Sequence, residues 1–463
     1  MIYPTLDLTI PHVSQRSRLN PISPIGLGTP HVESLISYIC RLATNHNISF
    51  GSFYELLLIP SLNKAYLTTP SHLSPASTLN GSFRNRMKNI NGIGKLAQEW
   101  SEKLEELTLR SDLRFLNLTA LSNVTPHWKL LRTFQAWCPV CYEEMLQAKQ
   151  TIYQPLIWTI SAVDICARHH RPLVDRCSHC YRQLLPLTRR AQLGYCSRCG
   201  YWLGEHPDKG NRTDSLMGEE RDWRLFVANS VGELIAALSN MNQPPTKKTV
   251  VEALHECIKI STGGVITQFA KLIRKHLMTV YGWYRGNVKI PLSDLLRICY
   301  CLDLSIIDFL NGAEALRKSA INVRELPDTA CVVNSPRTPK PFNREKVEIG
   351  LINFLKVGSP ISVAEAARRM EVNHRDLYRI FPELSRKISC RYRGYLQDFY
   401  RIERTRREEE VRQAVIHLYR QGVYVTPRAV AEYLNKPTYL GRRDVAVIIR
   451  MTRESLDSER KGG

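Results

Sequence analysis

No run of apolar residues in this 463-residue chain approaches the ~18 needed to cross a bilayer. No signal-peptide pattern is read at its start. Also missing are a Walker-type phosphate loop and any cluster of Asp and Glu suited to two-metal chemistry. These absences exclude a membrane-spanning role and argue against a nucleotide hydrolase or a nuclease, so the chain is not expected to be an enzyme. Negative charge is short too: 43 Asp and Glu face 64 Lys and Arg, a formal charge of +21. Nucleic acid is the polyanion that best matches such an excess. The thirteen cysteines do not form a secreted disulfide framework, which points to a reducing, cytoplasmic setting.

Seven of those cysteines and one histidine fall into four pairs, each with two residues between its members. They are Cys138/Cys141, Cys166/His169, Cys177/Cys180 and Cys196/Cys199. This spacing lets a tight turn aim two side chains at one ion, and Zn²⁺ takes four such donors in a tetrahedron. Four pairs imply two closed, structural zinc sites. Sequential pairing gives a site of three cysteines and one histidine, followed by an all-cysteine site of zinc-ribbon spacing; an interleaved arrangement would exchange the partners. His170 and His179 are spare imidazoles. Cys40, Cys257, Cys299, Cys301 and Cys331 have no ligand spacing and read as buried thiols.

Upstream, residues 1–30 read as an extended lead-in. Leu35, Ile36, Ile39 and Leu42 have helical spacing. A second helix is expected from Phe50 to Leu58 behind a Ser49 cap, a loop over 60–81, and helices over 93–109 and 113–121. In order, "ESLISYICRLA", "WCPVCYEE", "WTISAVDICARHHRPLVDRCSHC" and "CSRCG" resemble the TniQ/TnsD family of transposition target-site selectors, over roughly residues 20–205. Trp158, ahead of Cys166, is part of that likeness. The resemblance implies a non-enzymatic adaptor that recognises a target on double-stranded DNA or through an RNA-guided CRISPR effector complex. It also implies recruitment of a AAA+ ATPase regulator and, through it, the transposase. The bacterial nucleoid would be its place of work.

Three later stretches read as helix-turn-helix units. In the first, Phe269, Ala270, Val280 and Trp283 fill a core and Gly286 ends the second helix; Leu295–Leu310 closes the unit. Its outward residues Leu277, Met278, Thr279, Tyr281 and Gly282 suit methyl contacts and shape, with Arg285 and Lys289 on phosphate. The second runs from Val363 to Phe381, with Asn373 as cap and His374, Arg375, Tyr378 and Arg379 outward. In the third, Thr426 and Pro427 open one helix, which bears Arg428, and Arg442 and Arg443 open another. Residues 401–410 read as a mixed-charge helix, a solvated spacer, and 453–463 as a frayed tail.

The expected fold is mostly α and multidomain: a helical N-terminal region (1–130), tandem zinc knuckles (131–206), a connector (207–248), a repressor-like unit (249–325), a linker (326–343), a second unit (344–400) and a third (401–463). The long C-terminus is similar to the TnsD type, which binds its attachment site directly. The RNA-guided adaptor and a zinc-containing transcription regulator are the rival readings.

Overall fold

The computed structural model describes residues 15–62, 87–189, 191–204, 218–241, 244–318, 321–328, 343–370, 372–439 and 442–462. Cys331, most of the 60–81 loop and most of the 326–343 linker lie outside them. The fold is mostly helical, as the sequence implies, with one two-stranded sheet among the described residues. It divides into two compact units, Met1–Cys331 and Val332–Gly463.

The first unit opens on α1 (Leu35–Asn45), capped by the Ser34 side chain, which accepts from the Ser37 amide. Leu35, Ile36, Ile39 and Leu42 are all buried. Ser49 caps α2 (Phe50–Phe53) as expected, but the helix widens into a π-helical stretch (Tyr54–Leu58). Next comes α3 (Lys95–Thr108). The helix expected over 113–121 is broken into two short 3-10 turns, because Asn117 is extended and its side chain accepts from the Thr119 amide at 3.0 Å.

α4 (Pro139–Gln147) and the hairpin of β1 (Ile165–Cys166) and β2 (Arg171–Pro172) carry the first knuckles. The expected connector differs in one respect. Its helix α5 (Glu219–Leu238) is a core element, burying Val227, Val231, Leu234, Ile235 and Leu238 at helical spacing. α6 (Lys247–Thr262) starts at a Thr246/Thr249 capping box. α7 (Ile266–Leu272), α8 (Leu277–Tyr284), α9 (Leu292–Cys301), α10 (Ile306–Asn311) and α11 (Ala313–Lys318) follow. One hydrophobic core runs through the unit from Leu19 to Leu326. Cys40, Cys257, Cys299 and Cys301 are buried in it as expected, and burial pushes the Cys40 thiol up to about 12.

The second unit has two cores. The first is built by α12 (Arg344–Lys356), α13 (Val363–Arg369), α14 (His374–Ile380) and the start of α15 (Pro382–Arg420). The other joins the end of α15 to α16 (Pro427–Tyr433) and α17 (Arg443–Gly462). α15 crosses residues 400 and 401 without a break, and α17 continues to Gly462 through the stretch that reads as a frayed tail. Cys390, which shows no ligand spacing, is exposed on α15.

Candidate metal centres and nucleic-acid faces

Three of the four pairs share one turn. The amide four residues after the first cysteine donates back to that cysteine's carbonyl: His170 to Cys166 at 2.8 Å, Tyr181 to Cys177 at 2.9 Å and Gly200 to Cys196 at 2.8 Å. The residue at that fourth position is left-handed each time, with φ of 50°, 55° and 80°. Only Gly200 adopts this conformation without a Cβ penalty. The remaining pair forms at a helix start: Cys138 is extended, Pro139 occupies the first helical position of α4, and Cys141 lies in its first turn.

These turns bring together Cys138, Cys141, Cys166 and His169 in one cluster and Cys177, Cys180, Cys196 and Cys199 in another. That is the sequential grouping. Within each, all donor atoms lie within 4.8 Å of one another. His169 Nδ1 stands 3.4, 3.3 and 3.5 Å from the sulfurs of Cys138, Cys141 and Cys166, the apex of a pyramid on three thiols. Sulfur separations are 3.7 Å for Cys141–Cys166, 3.8 Å for Cys177–Cys199 and 3.7 Å for Cys180–Cys196. A tetrahedral ion at ordinary Zn–S and Zn–N lengths requires edges of about 3.8 Å between sulfurs and about 3.6 Å to nitrogen. Both donor sets therefore fit a four-coordinate metal ion. The Cys166 thiol is held well below its ordinary value by its contacts with Cys138 and Cys141, and Cys196 by those with Cys177, Cys180 and Cys199. The same sulfur contacts push Cys141 and Cys199 up; metal binds the thiolate form.

The spare imidazoles stay outside both clusters. His170 Nδ1 meets Arg221 Nη2 at 3.0 Å, and His179 stacks on Tyr201. Trp158 is buried and meets Tyr142 of α4 edge-on, backing the first cluster.

In the candidate DNA-facing helices, Phe269, Ala270, Val280 and Trp283 are buried, and α8 ends at Arg285 ahead of Gly286 (φ 67°). Leu277, Met278 and Thr279 are exposed, Tyr281 and Gly282 half-buried. Arg285 lies over the Tyr281 ring at 4.5 Å and donates to its hydroxyl at 2.9 Å. Lys289 is folded inward, its ammonium donating to the Ser122 carbonyl at 2.6 Å. On α14, the Asn373 cap accepts from the Arg375 amide at 3.0 Å, Leu377 is buried, and His374, Arg375, Tyr378 and Arg379 form an exposed row. Arg379 also reaches Asp376 at 3.1 Å.

In the last core, Thr426 caps α16, on which Arg428 pairs with Glu432 at 2.7 Å. Arg443 is the first residue of α17. Arg442 does not stand out as expected of a recognition residue. Its side chain is only 14% exposed and grips Asp444 at 3.1 and 3.0 Å, a carboxylate that Arg407 also holds at 2.6 Å. The acid two positions on is its partner within the fold.

Two polar groups of the first unit, one half-exposed and one buried, are invisible in the spacing of the ligands. Glu144 accepts from His169 Nε2 at 2.9 Å. Glu33, fully buried, accepts from Arg41 and from the Ser37 hydroxyl, and that hydroxyl in turn accepts from the Gln154 amide at 3.0 Å. The second network explains the Glu33, Ser37 and Arg41 positions of the N-terminal motif as structural ties.

Comparison with curated proteins finds no match. Residues 24–173, from the lead-in through the first metal cluster, match the family model described as TniQ. Residues 24–173 thus carry a TniQ domain, a domain associated with transposition.

Proposed function

We propose that the protein is a target-site selector: it binds a transposon attachment site on duplex DNA and recruits the AAA+ ATPase regulator and the transposase. The observation that carries the DNA-binding part is the exposed row His374, Arg375, Tyr378 and Arg379 on a helix whose first turn is capped by Asn373. Guanidinium and imidazole donors near a helix N-terminus are the groups that read guanine edges in a major groove. Arg428 and Arg443 supply further contacts in the neighbouring core. Met278, Thr279 and Tyr281 add methyl and shape contacts, with Arg285 on phosphate. Lys289 and Arg442 act within the protein. The role is adaptor rather than enzyme.

The two clusters hold zinc. Bound there, zinc supplies cross-linking of four chain segments, the start of α4, the β1–β2 turn and two further turns, and so contributes folding energy directly. The chain's residues provide the rest: the left-handed turns at His170, Tyr181 and Gly200 aim the donors, and the buried Tyr142 and Trp158 support α4.

The second reading, an adaptor that finds its target through an RNA-guided complex, draws support from the donor-poor outward face of α8, where Met278 is 66% exposed. A footprint of the purified, metal-loaded protein against host genomic fragments separates the two. A discrete protected site without RNA or partner is expected. Weak, salt-sensitive and sequence-blind binding would favour the guided adaptor.

A further inference from the structure

Glu144 lies three residues after Cys141 on α4, one helical step along the same face. Its Oε1 is 2.9 Å from His169 Nε2, and its Oε2 is 2.9 Å from Arg168 Nη2. Glu143, the preceding carboxylate, turns away and accepts from Trp202 Nε1 at 2.9 Å. Two adjacent acids on one helix thus serve different segments.

We propose that Glu144 is a positioning residue of the first metal centre, fixing His169 in the tautomer that offers Nδ1 to the ion, with Arg168 holding the carboxylate in place. This rests on reading the Cys138, Cys141, Cys166 and His169 cluster as a metal centre. A neutral imidazole has one N–H, and an ionised carboxylate can only accept. Contact with Glu144 therefore puts the proton on Nε2 and leaves the Nδ1 lone pair facing the three sulfurs, 3.3 to 3.5 Å away. Three thiolates around a divalent ion leave one negative charge, to which Glu144 adds another. The Arg168 guanidinium offsets that addition. The acceptor also makes the imidazole a stronger donor to the ion.

The test uses the full-length chain loaded with Co²⁺, whose absorption bands distinguish mixed cysteine–histidine from all-cysteine coordination, and measures release of each ion to a chelator. Glu144→Ala should accelerate loss from the mixed site by about 10–100-fold and shift its bands, leaving the all-cysteine bands unchanged. ¹⁵N spectra of His169 should then show a mixture of tautomers in place of a single Nε2–H form. Glu144→Gln, whose amide oxygen still accepts, should restore most of the retention. Glu143→Ala should leave release from the mixed site as in the parent protein. Unchanged release and an unchanged His169 tautomer in Glu144→Ala would overturn the proposal. So would an equal loss in Glu143→Ala, which would mean helix packing alone is at stake. Absence of the mixed-site bands in the parent protein would instead remove the metal-centre reading beneath it.

Discussion

Arg41 lays its guanidinium across both oxygens of Glu33, Nε on one and Nη2 on the other, each at 2.8 Å, and no part of the Glu33 side chain is exposed. The same Nη2 donates to the Ser23 carbonyl, so the pair ties the lead-in segment to α1. Removing one partner of such a pair leaves a buried charge without compensation. Arg41→Met should cost about 3–5 kcal/mol of unfolding free energy. Urea denaturation of the full chain is the check; a loss below about 1 kcal/mol would mean the pair is solvated in solution.

Metal content gives the second expectation. Cys177→Ser or Cys196→Ser should remove one bound ion and leave the other, because the two clusters share no donor. Structural metal contributes folding energy outright, so the melting temperature should fall as well. Metal analysis alongside thermal denaturation would refute the ligand assignment if content stayed unchanged.

Arg375 and Arg442 should separate reading from folding. Arg375→Ala, on the exposed row of α14, should weaken binding to the cognate site by about 1–3 kcal/mol if it reads a base, with stability little changed. An equal loss on all sequences would place it on phosphate. Arg442→Ala should chiefly destabilise the last core, since that side chain is nearly covered and paired. Titrations on cognate and scrambled duplexes, with melting curves of both variants, resolve the two.

Asp444 predicts an acid response. Burial opposes its ionisation, but Arg442 and Arg407 more than compensate and hold its carboxyl down at about 2, below its ordinary 3.8. A depressed pKa means stability present above the ordinary value and lost as pH falls through the lower one. The last core should therefore loosen between about pH 4 and 2, and Arg442→Ala should move that loss to higher pH. Tryptophan is absent from this core, so hydrogen exchange of the α16 and α17 amides is the suitable readout.

The two Cys/His clusters are legible in the sequence because their geometry is local: two residues between donors set a turn, and the turn aims both side chains. Helix caps at Ser49, Asn373 and Thr426 follow from the same short range. What stays hidden depends on distance along the chain. Glu144 meets His169 twenty-five positions away, and the Gln154 amide reaches Ser37 across more than a hundred. The α5 segment reads as a connector because its partners lie on β1 and α10. The charge run 401–410 reads as a helical spacer, and its four-residue pairs Arg404–Glu408 and Arg406–Glu410 favour that helix, but its continuity with both flanking cores is not legible.

That unbroken helix fixes a distance. Ile388 belongs to one core of the second unit and Val411 to the other, and the helical rise puts them roughly 34 Å apart along α15. One turn of B-DNA spans about the same length. α15 is thus a ruler that sets both the separation and the rotational phase of the cores it joins. Each residue inserted between Ile388 and Val411 would lengthen it by about 1.5 Å and turn one core about 100° against the other.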